Sequence, residues 1–371
     1  MRAAIDMMPR NLPNSEYSHT GAWAFLRSNQ LKNVGIDAKV LGGKGCREWE
    51  EYDVVYLYHT MDFNNKHPYM LNIFDGPQEH TAKFFERLIF PEHSHIKFIS
   101  LDYPMPNYGY RCKWKRDRAS DDSKMSDYWR NVDWDAVQAK CDSITDWVLD
   151  PGVELLPDGK VHHTHRKMTM GDSHSQSAYT SKSLIIRHDG RTMRGITKKS
   201  IKNEVVSHGF DWDQLDEITC YYGNIDIRHH LCREADPIKA TKELVRDYAT
   251  MLGRAGDKQI EVVCALPIED ESRKLPSTGY YLGTPFYGAR DQRIQVMNVF
   301  NDCLREQASI YGWKIFEWPK SWYEMDGVEF MDTIMERPRS VHLARKYYRW
   351  DLVENRPNEL LTKTIKKLLE F

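Results

Sequence analysis

Short apolar runs recur along the first hundred residues, separated by stretches whose apolar positions repeat every three to four residues. "MRAAIDMM" (1–8), "DAKVLGG" (37–43), "DVVYLYHT" (53–60) and "IKFISLDY" (96–103) have the compact, β-branched and aromatic character of buried strands. Residues 16–34, with Ala22, Phe25 and Leu26 on one face, and residues 76–89 carry the helical period between them. Strands alternating with helices predict a parallel sheet covered on both faces, with ligands in the crevice beyond the strands' carboxyl ends. From 104 to 130 the period is lost in a loop rich in Pro, Asn, Tyr and charged residues, after which a helix is expected over 134–147. "LDPGVELLPDGKVHHTHRK" (149–167) then supplies the Pro and Gly of a connecting turn.

The alternation resumes beyond that turn. Strands are expected at "KMTMGDS" (167–173), "SLIIRHD" (183–189), "EITCYYGNIDIR" (217–228), "IEVVCALPI" (260–268) and "WKIFEW" (313–318). Helices are expected near 199–207, over 236–254 and 287–310, and in a C-terminal tail. The pattern predicts an α/β protein of two doubly wound domains, a Rossmann-like one over 1–160 and a second, mostly parallel one over 161–371. A length of 371 residues agrees, at roughly one domain per 150 residues.

Composition narrows the setting. A chain 41% hydrophobic and 29% charged is that of a folded globular protein, and no apolar window is long enough to cross a bilayer. The start, "MRAAIDMMPRN", lacks the apolar core of a signal peptide, which predicts a cytoplasmic protein, in the host cytoplasm if it is phage-encoded. Seven scattered cysteines without a CxxC pair fit reduced thiols rather than a disulfide framework or structural zinc. A net charge of -2 gives no global attraction to nucleic acid, so any such binding must be local.

Candidate chemistry lies in the second half. In "GDSHS" (171–175) a strand ends in Gly-Asp-Ser and runs toward a helix, which places the Ser173 hydroxyl at the sheet's carboxyl edge, where amide groups can bind an oxyanion. The same tripeptide serves equally as an Asp/Ser helix cap. In "YYGNIDIRHH" (221–230), read as a continuing strand, Asn224, Asp226, Arg228 and His230 share one face. Four polar groups on one side of a buried strand must bond one another or border a solvated site. His342, in "RPRSVHLARKYY" (337–348), is the histidine near the C-terminus that could take a proton from an activated serine.

In order and spacing these motifs resemble the SGNH (GDSL-type) hydrolases over about residues 165–350: "GDSHS", a glycine in "MRGIT" (Gly195), "GNID" (223–226) and the histidine of "SVHLA". The resemblance implies Ser173 as nucleophile, His342 as base, and the amides of Ser173 and Gly195 with an asparagine side chain as oxyanion donors. Two positions depart from the family. Aligning Asp226 with the family's block-three aspartate puts Ile225 where its asparagine belongs, so Asn224 must substitute. Arg339 stands three residues before His342, where the family has aspartate, leaving a dyad or a more distant carboxylate such as Asp332 or Glu336. The expected catalytic set is therefore Ser173, His342 and Asp226, with Gly195, Asn224, Arg228 and His230 binding substrate or oxyanion, and no metal or cofactor is required.

The expected reaction is ester hydrolysis or O-acyl transfer on a carbohydrate- or nucleotide-containing acceptor. Both pass through one acyl-enzyme, and water exclusion, for which the loop "LPSTGYYLGTP" (275–285) is a candidate cover, decides between them. The alternative concerns residues 1 to about 110, whose strand pattern resembles the N-terminal half of phage DNA glucosyltransferases of the GT-B class. On that reading the protein modifies DNA or transfers sugar and the SGNH-like domain is a non-catalytic scaffold. "RCKWKRDR" (111–118) sets Lys113, Lys115 and Arg116 around Trp114, charges for phosphates beside a ring for stacking. It reads as a DNA contact or as a solvated loop. The three histidines of "VHHTHR" (161–166) fit a polar strand entry better than a metal site, since no carboxylate or thiol completes a ligand spacing.

Overall fold

A computed structural model describes residues 2–7, 27–28, 30–32, 35–41, 49–58, 79–101, 127–144, 147–148, 153–155, 161–180, 183–188, 190–208, 210–271, 287–335, 341–344 and 347–349. The helix expected over 16–34 lies largely outside these residues. The basic stretch 111–118, the loop 275–285 and the C-terminal tail beyond 349 lie wholly outside them. The chain divides into two compact units, Met1–Ser15 with Thr20–Thr164 and Glu16–His19 with His165–Phe371.

In the first unit, strands β1 (Ala3–Met7), β2 (Ala38–Leu41), β3 (Val54–Tyr58), β4 (Lys97–Leu101) and β5 (Trp147–Val148) form a parallel sheet in the order β2-β1-β3-β4-β5. Among the described residues its helices include α1 (Glu79–Arg87), α2 (Asp127–Asn131) and α3 (Trp134–Ser143). Ala3 to Asp6 are all buried, the continuous burial of a central strand covered on both faces. Trp49 anchors the core, packing edge-on against Phe84 and Phe98 and donating its indole N–H to Asp6 over 2.6 Å.

Two local expectations fail here. The helix expected to reach 147 stops at Ser143, because Ile144 leaves helical geometry at φ -87°, ψ 77°, and the following Trp147–Val148 pairs with β4 instead. The connecting turn contains an antiparallel hairpin, β6 (Val153–Leu155) with β7 (Val161–His163).

In the second unit, β8 (Lys167–Gly171), β9 (Ser183–Arg187), β10 (Glu217–Tyr221), β11 (Gln259–Val263) and β12 (Lys314–Phe316) are all parallel, in the order β12-β11-β10-β8-β9. Helices α4 (Met193–Lys199), α5 (Ile201–Ser207), α6 (Asn224–His229), α7 (Pro237–Leu252), α8 (Arg290–Tyr311), α9 (Lys320–Glu324) and α10 (Gly327–Ile334) complete it. The fold is the α/β, doubly wound one that the alternation predicts. Strand order reverses between β8 and β10, so the crevice of this sheet opens at the carboxyl ends of those two strands. Among the described residues no helix is long and apolar enough to cross a membrane.

Two further expectations are corrected. The helix placed near 199–207 is a pair, α4 and α5, broken at Ser200, whose φ of 74° is left-handed and whose hydroxyl caps α5 at Asn203 N over 3.2 Å. The strand expected through 228 ends at Tyr221. Gly223 turns the chain at φ 110°, a conformation that a side chain would oppose, and α6 starts at once.

Candidate active site

The two loops that leave the switch point carry the candidate chemistry. Gly171 closes β8 against β10 so tightly that a Cβ there would lie 2.2 Å from the Tyr221 carbonyl oxygen. The Asp172 N–H still reaches that oxygen, over 3.3 Å, and the chain then leaves the sheet. Asp172 is fully buried, and its Oδ1 accepts both the backbone N–H of His174 over 2.8 Å and the ring Nδ1 of His174 over 2.9 Å. This local turn, of a kind Asp favours, sets Ser173 half-buried at its apex before a 3-10 turn over Ser175–Ala178.

The His342 segment is docked on that loop. His174 Nε2 donates to the Val341 carbonyl over 2.9 Å, and the rings of His174 and His342 lie 5.0 Å apart at 40°. Gln176 donates to the Tyr348 hydroxyl over 2.9 Å. Arg349 grips both carboxylate oxygens of Glu261 on β11, at 2.5 and 2.8 Å, while Thr219 of β10 donates to the same carboxylate over 2.8 Å. Burial raises the Glu261 pKa, but the Arg349 and Thr219 hydrogen bonds outweigh it and hold the group below its usual value.

At the end of β10 the six residues of α6 are all buried. Asn224 Oδ1 accepts from Leu266 N over 3.2 Å, whereas its Nδ2 is buried next to the Tyr221 hydroxyl without a close acceptor among the described residues. An amide donor left in that state is costly unless a ligand or water meets it. Arg228, one turn along the same helix, donates to Glu269 over 2.7 Å and to the Asn224 carbonyl over 3.1 Å. Arg293 of α8 donates to the Glu269 carbonyl over 3.1 Å and to Glu271 over 3.0 Å. Burial lowers the Arg228 pKa, yet the Glu269 carboxylate more than restores it and leaves it above its usual value.

The expectation that Asp226, Arg228 and His230 form one bonded set on a strand face is therefore corrected. A helix spreads them around its axis. Asp226 accepts the N–H groups of Met193 over 2.7 Å and Arg194 over 3.4 Å, so its carboxylate sits at the start of α4 rather than with Arg228. Burial pushes its pKa to about 6, against the lowering effect of those two amides. His230 is half-buried, and burial lowers its pKa, followed by the nearby Arg233 and Arg194. The Gly195 N–H donates to the Thr192 hydroxyl over 2.9 Å as part of the α4 cap.

Behind β9, His188 and Arg191 meet the buried Glu204 of α5, at 2.8 and 3.1 Å. Burial raises the Glu204 pKa, but the hydrogen bond from His188 and the charge of Arg191 prevail and bring it to about 2.

Three residues of this neighbourhood fall outside the expected site set: Asp172, His174 and Glu269. The first two sit inside the serine motif, where His174 was legible as a second imidazole beside the serine. Glu269 is the first of three consecutive acids after an apolar run, Glu269, Asp270 and Glu271, and only the fold pairs it with Arg228.

What the site defines as a class is an open α/β sheet with a half-buried serine on one side of its switch point and a buried amide donor on the other, with a histidine segment laid over the serine loop. No protein-family model and no curated protein matches the chain. Among solved structures it is similar to the lipase/acylhydrolase from Enterococcus faecalis, at 14% identity over 55% of this chain and 95% of that one, with a TM-score of 0.34. It is similar to a member of the lipolytic G-D-S-L family from Veillonella parvula, at 13% over 49% and 91%, with a TM-score of 0.32. A third is the psychrotrophic esterase EstA from Pseudoalteromonas sp., at 11% over 56% and 100%, with a TM-score of 0.30. No comparison supports the glucosyltransferase likeness of residues 1 to about 110.

Proposed function

We propose that the second unit is a serine esterase, with O-acyl transfer to a hydroxyl acceptor as the variant of the same chemistry. The observation that carries the reading is the ring of His342 packed against His174, the residue next to Ser173, at the carboxyl end of β8. A serine hydroxyl is a weak nucleophile until a base takes its proton, and a distal histidine laid on the serine loop is what that requires.

Ser173 Oγ attacks the ester carbonyl while its proton passes to His342. The tetrahedral oxyanion is met by Asn224 Nδ2, a buried donor beside the Tyr221 hydroxyl that has no close acceptor among the described residues. Collapse breaks the ester C–O bond, and the departing alkoxide takes the proton from His342. Water or an acceptor hydroxyl then repeats the sequence on the acyl-enzyme, releasing acid or a new ester and returning the proton to Ser173. Asp226, engaged at the start of α4, has no step in this scheme.

Turnover of p-nitrophenyl acetate tests the reading. Ser173→Ala is expected to remove it by a factor of at least about 10³, and Asn224→Ala to lower kcat by about 10²–10³, the effect of deleting one oxyanion donor. Full-rate turnover by Ser173→Ala would reject the acyl-enzyme.

A further inference from the structure

We propose that Asp172 and His174 together act as the positioning device for His342, with Asp172 supplying the carboxylate that the residue three before the histidine, Arg339, does not. The inference rests on the esterase reading and adds to it the residues that orient its base.

The geometry is a chain of short contacts through buried groups. Asp172 and His174 expose 0% and 4% of their surface. The carboxylate fixes His174 at two points, the backbone N–H and the ring Nδ1, at 2.8 and 2.9 Å. An imidazole held at one nitrogen by a carboxylate has a fixed plane and a fixed direction for the other nitrogen. That second nitrogen, Nε2, meets the carbonyl of Val341 at 2.9 Å. The peptide joining Val341 to His342 is thereby pinned at its oxygen, and the His342 ring is supported on its side by the His174 ring at 5.0 Å.

Contacts further along set the segment's general position. Gln176 holds Tyr348, Glu261 holds Arg349, and the Ala344 N–H reaches the Ile334 carbonyl over 2.9 Å. Leu343, on the other side of His342, pairs with Met335 in an isolated antiparallel bridge, and among the described hydrogen bonds His174 Nε2 makes the one from the serine loop to the residue before His342. His174 also touches the Tyr221 ring, at 6.1 Å between centroids, which keeps its own plane from tilting. In this arrangement His174 touches no reacting atom. It determines where the base stands.

Two variants and two readouts test this. His174→Phe keeps the ring packing and deletes both ring hydrogen bonds, while Asp172→Asn keeps an acceptor at Oδ1 and removes the charge. For p-nitrophenyl acetate, His174→Phe is expected to lower kcat by about 10- to 100-fold, the cost of misplacing a catalytic group by about an ångström, with KM within about twofold of the parent and a smaller loss for Asp172→Asn. A general structural loss would instead lower the folded fraction and leave kcat per folded molecule unchanged. The second readout needs no turnover: the His342 ring resonances in 13C-histidine-labelled protein are expected to be single and sharp in the parent and shifted or broadened in both variants. His342 resonances identical in parent and folded variants would overturn the positioning role. If the parent shows no Ser173-dependent turnover while those resonances respond, the esterase reading fails and the positioning of His342 stands. Should His174→Phe not fold, Asp172→Asn alone decides by the same two measurements.

Discussion

Asp226 and Glu204 show how environment rather than residue type sets what a carboxylate does here. Asp226 has its pKa raised by burial to about 6 from an ordinary 3.8. A carboxyl whose folded value lies above its unfolded one contributes stability below the unfolded value and loses it as pH rises through the folded one. Stability measured by urea midpoint is expected to fall between about pH 4 and 6 through this group, and Asp226→Asn to flatten that fall. An unchanged profile in the variant would show that the buried carboxyl does not titrate there. Glu204 has the opposite sign, brought to about 2 from an ordinary 4.5, so its contribution is present above 4.5 and is lost as pH falls toward 2. Glu204→Gln is expected to cost roughly 1.5–3 kcal/mol at neutral pH, the loss of charge-assisted bonds to Arg191 and His188, and to remove the acid dependence. Neither role was legible in the sequence. A carboxylate that caps a distant helix and one that joins an ion cluster read alike until their partners are known.

Elements were legible where the sequence carries an unbroken apolar run or a helical period, and illegible where polar residues are buried among apolar ones. The strands of both sheets announce themselves as short apolar runs, since a parallel strand is covered on both faces. Residues 224–229 are buried throughout, so "NIDIRH" alternates apolar and polar like a strand although it forms α6. The missing cue was Gly223. At φ 110° it ends the strand, and a Cβ there would fall 2.3 Å from Phe300 Cζ. Gly171 is tighter, its obstacle being the Tyr221 backbone oxygen, which belongs to the paired strand and cannot turn aside. Gly171→Ala is expected to destabilise by roughly 3 kcal/mol or more, at the upper end of overpacking costs, and more than Gly223→Ala, in thermal unfolding. Equal stability of Gly171→Ala and parent would contradict the close approach of β8 to β10. The docking of the C-terminal segment predicts likewise that Arg349→Ala, which leaves Glu261 buried without its guanidinium, costs about 3–5 kcal/mol. A midpoint within error of the parent would mean that the pair adds nothing.

For the whole molecule, the alternation of strand and helix is enough to specify two doubly wound sheets, and each has the order that reverses once beside its central strand. That reversal explains why the candidate site was readable at all: motifs at the ends of β8 and β10 face one crevice by topology, before any side chain is considered. What topology does not convey is which groups are already engaged. Gly195 and Asp226 stand at positions that suit a motif, yet their hydrogen bonds go to helix α4. His174, which no motif requires, connects the serine loop to the histidine segment. The first unit enters the functional account through its sequence alone. If Lys113, Lys115 and Arg116 contact phosphates, duplex DNA binding should weaken linearly in log salt, the slope falling by about 0.9 for each contact removed. A triple alanine variant that binds as tightly as the parent in gel shifts would make that stretch a solvated loop.

The central claim is that Ser173 is a nucleophile activated through His342. It is tested most directly by treating the full chain with a fluorophosphonate and locating the adduct by peptide mass spectrometry. The account predicts a single stoichiometric adduct on Ser173, absent in Ser173→Ala and strongly slowed in His342→Ala. An unlabelled Ser173 in folded protein, or an adduct formed at the same rate without His342, would contradict it.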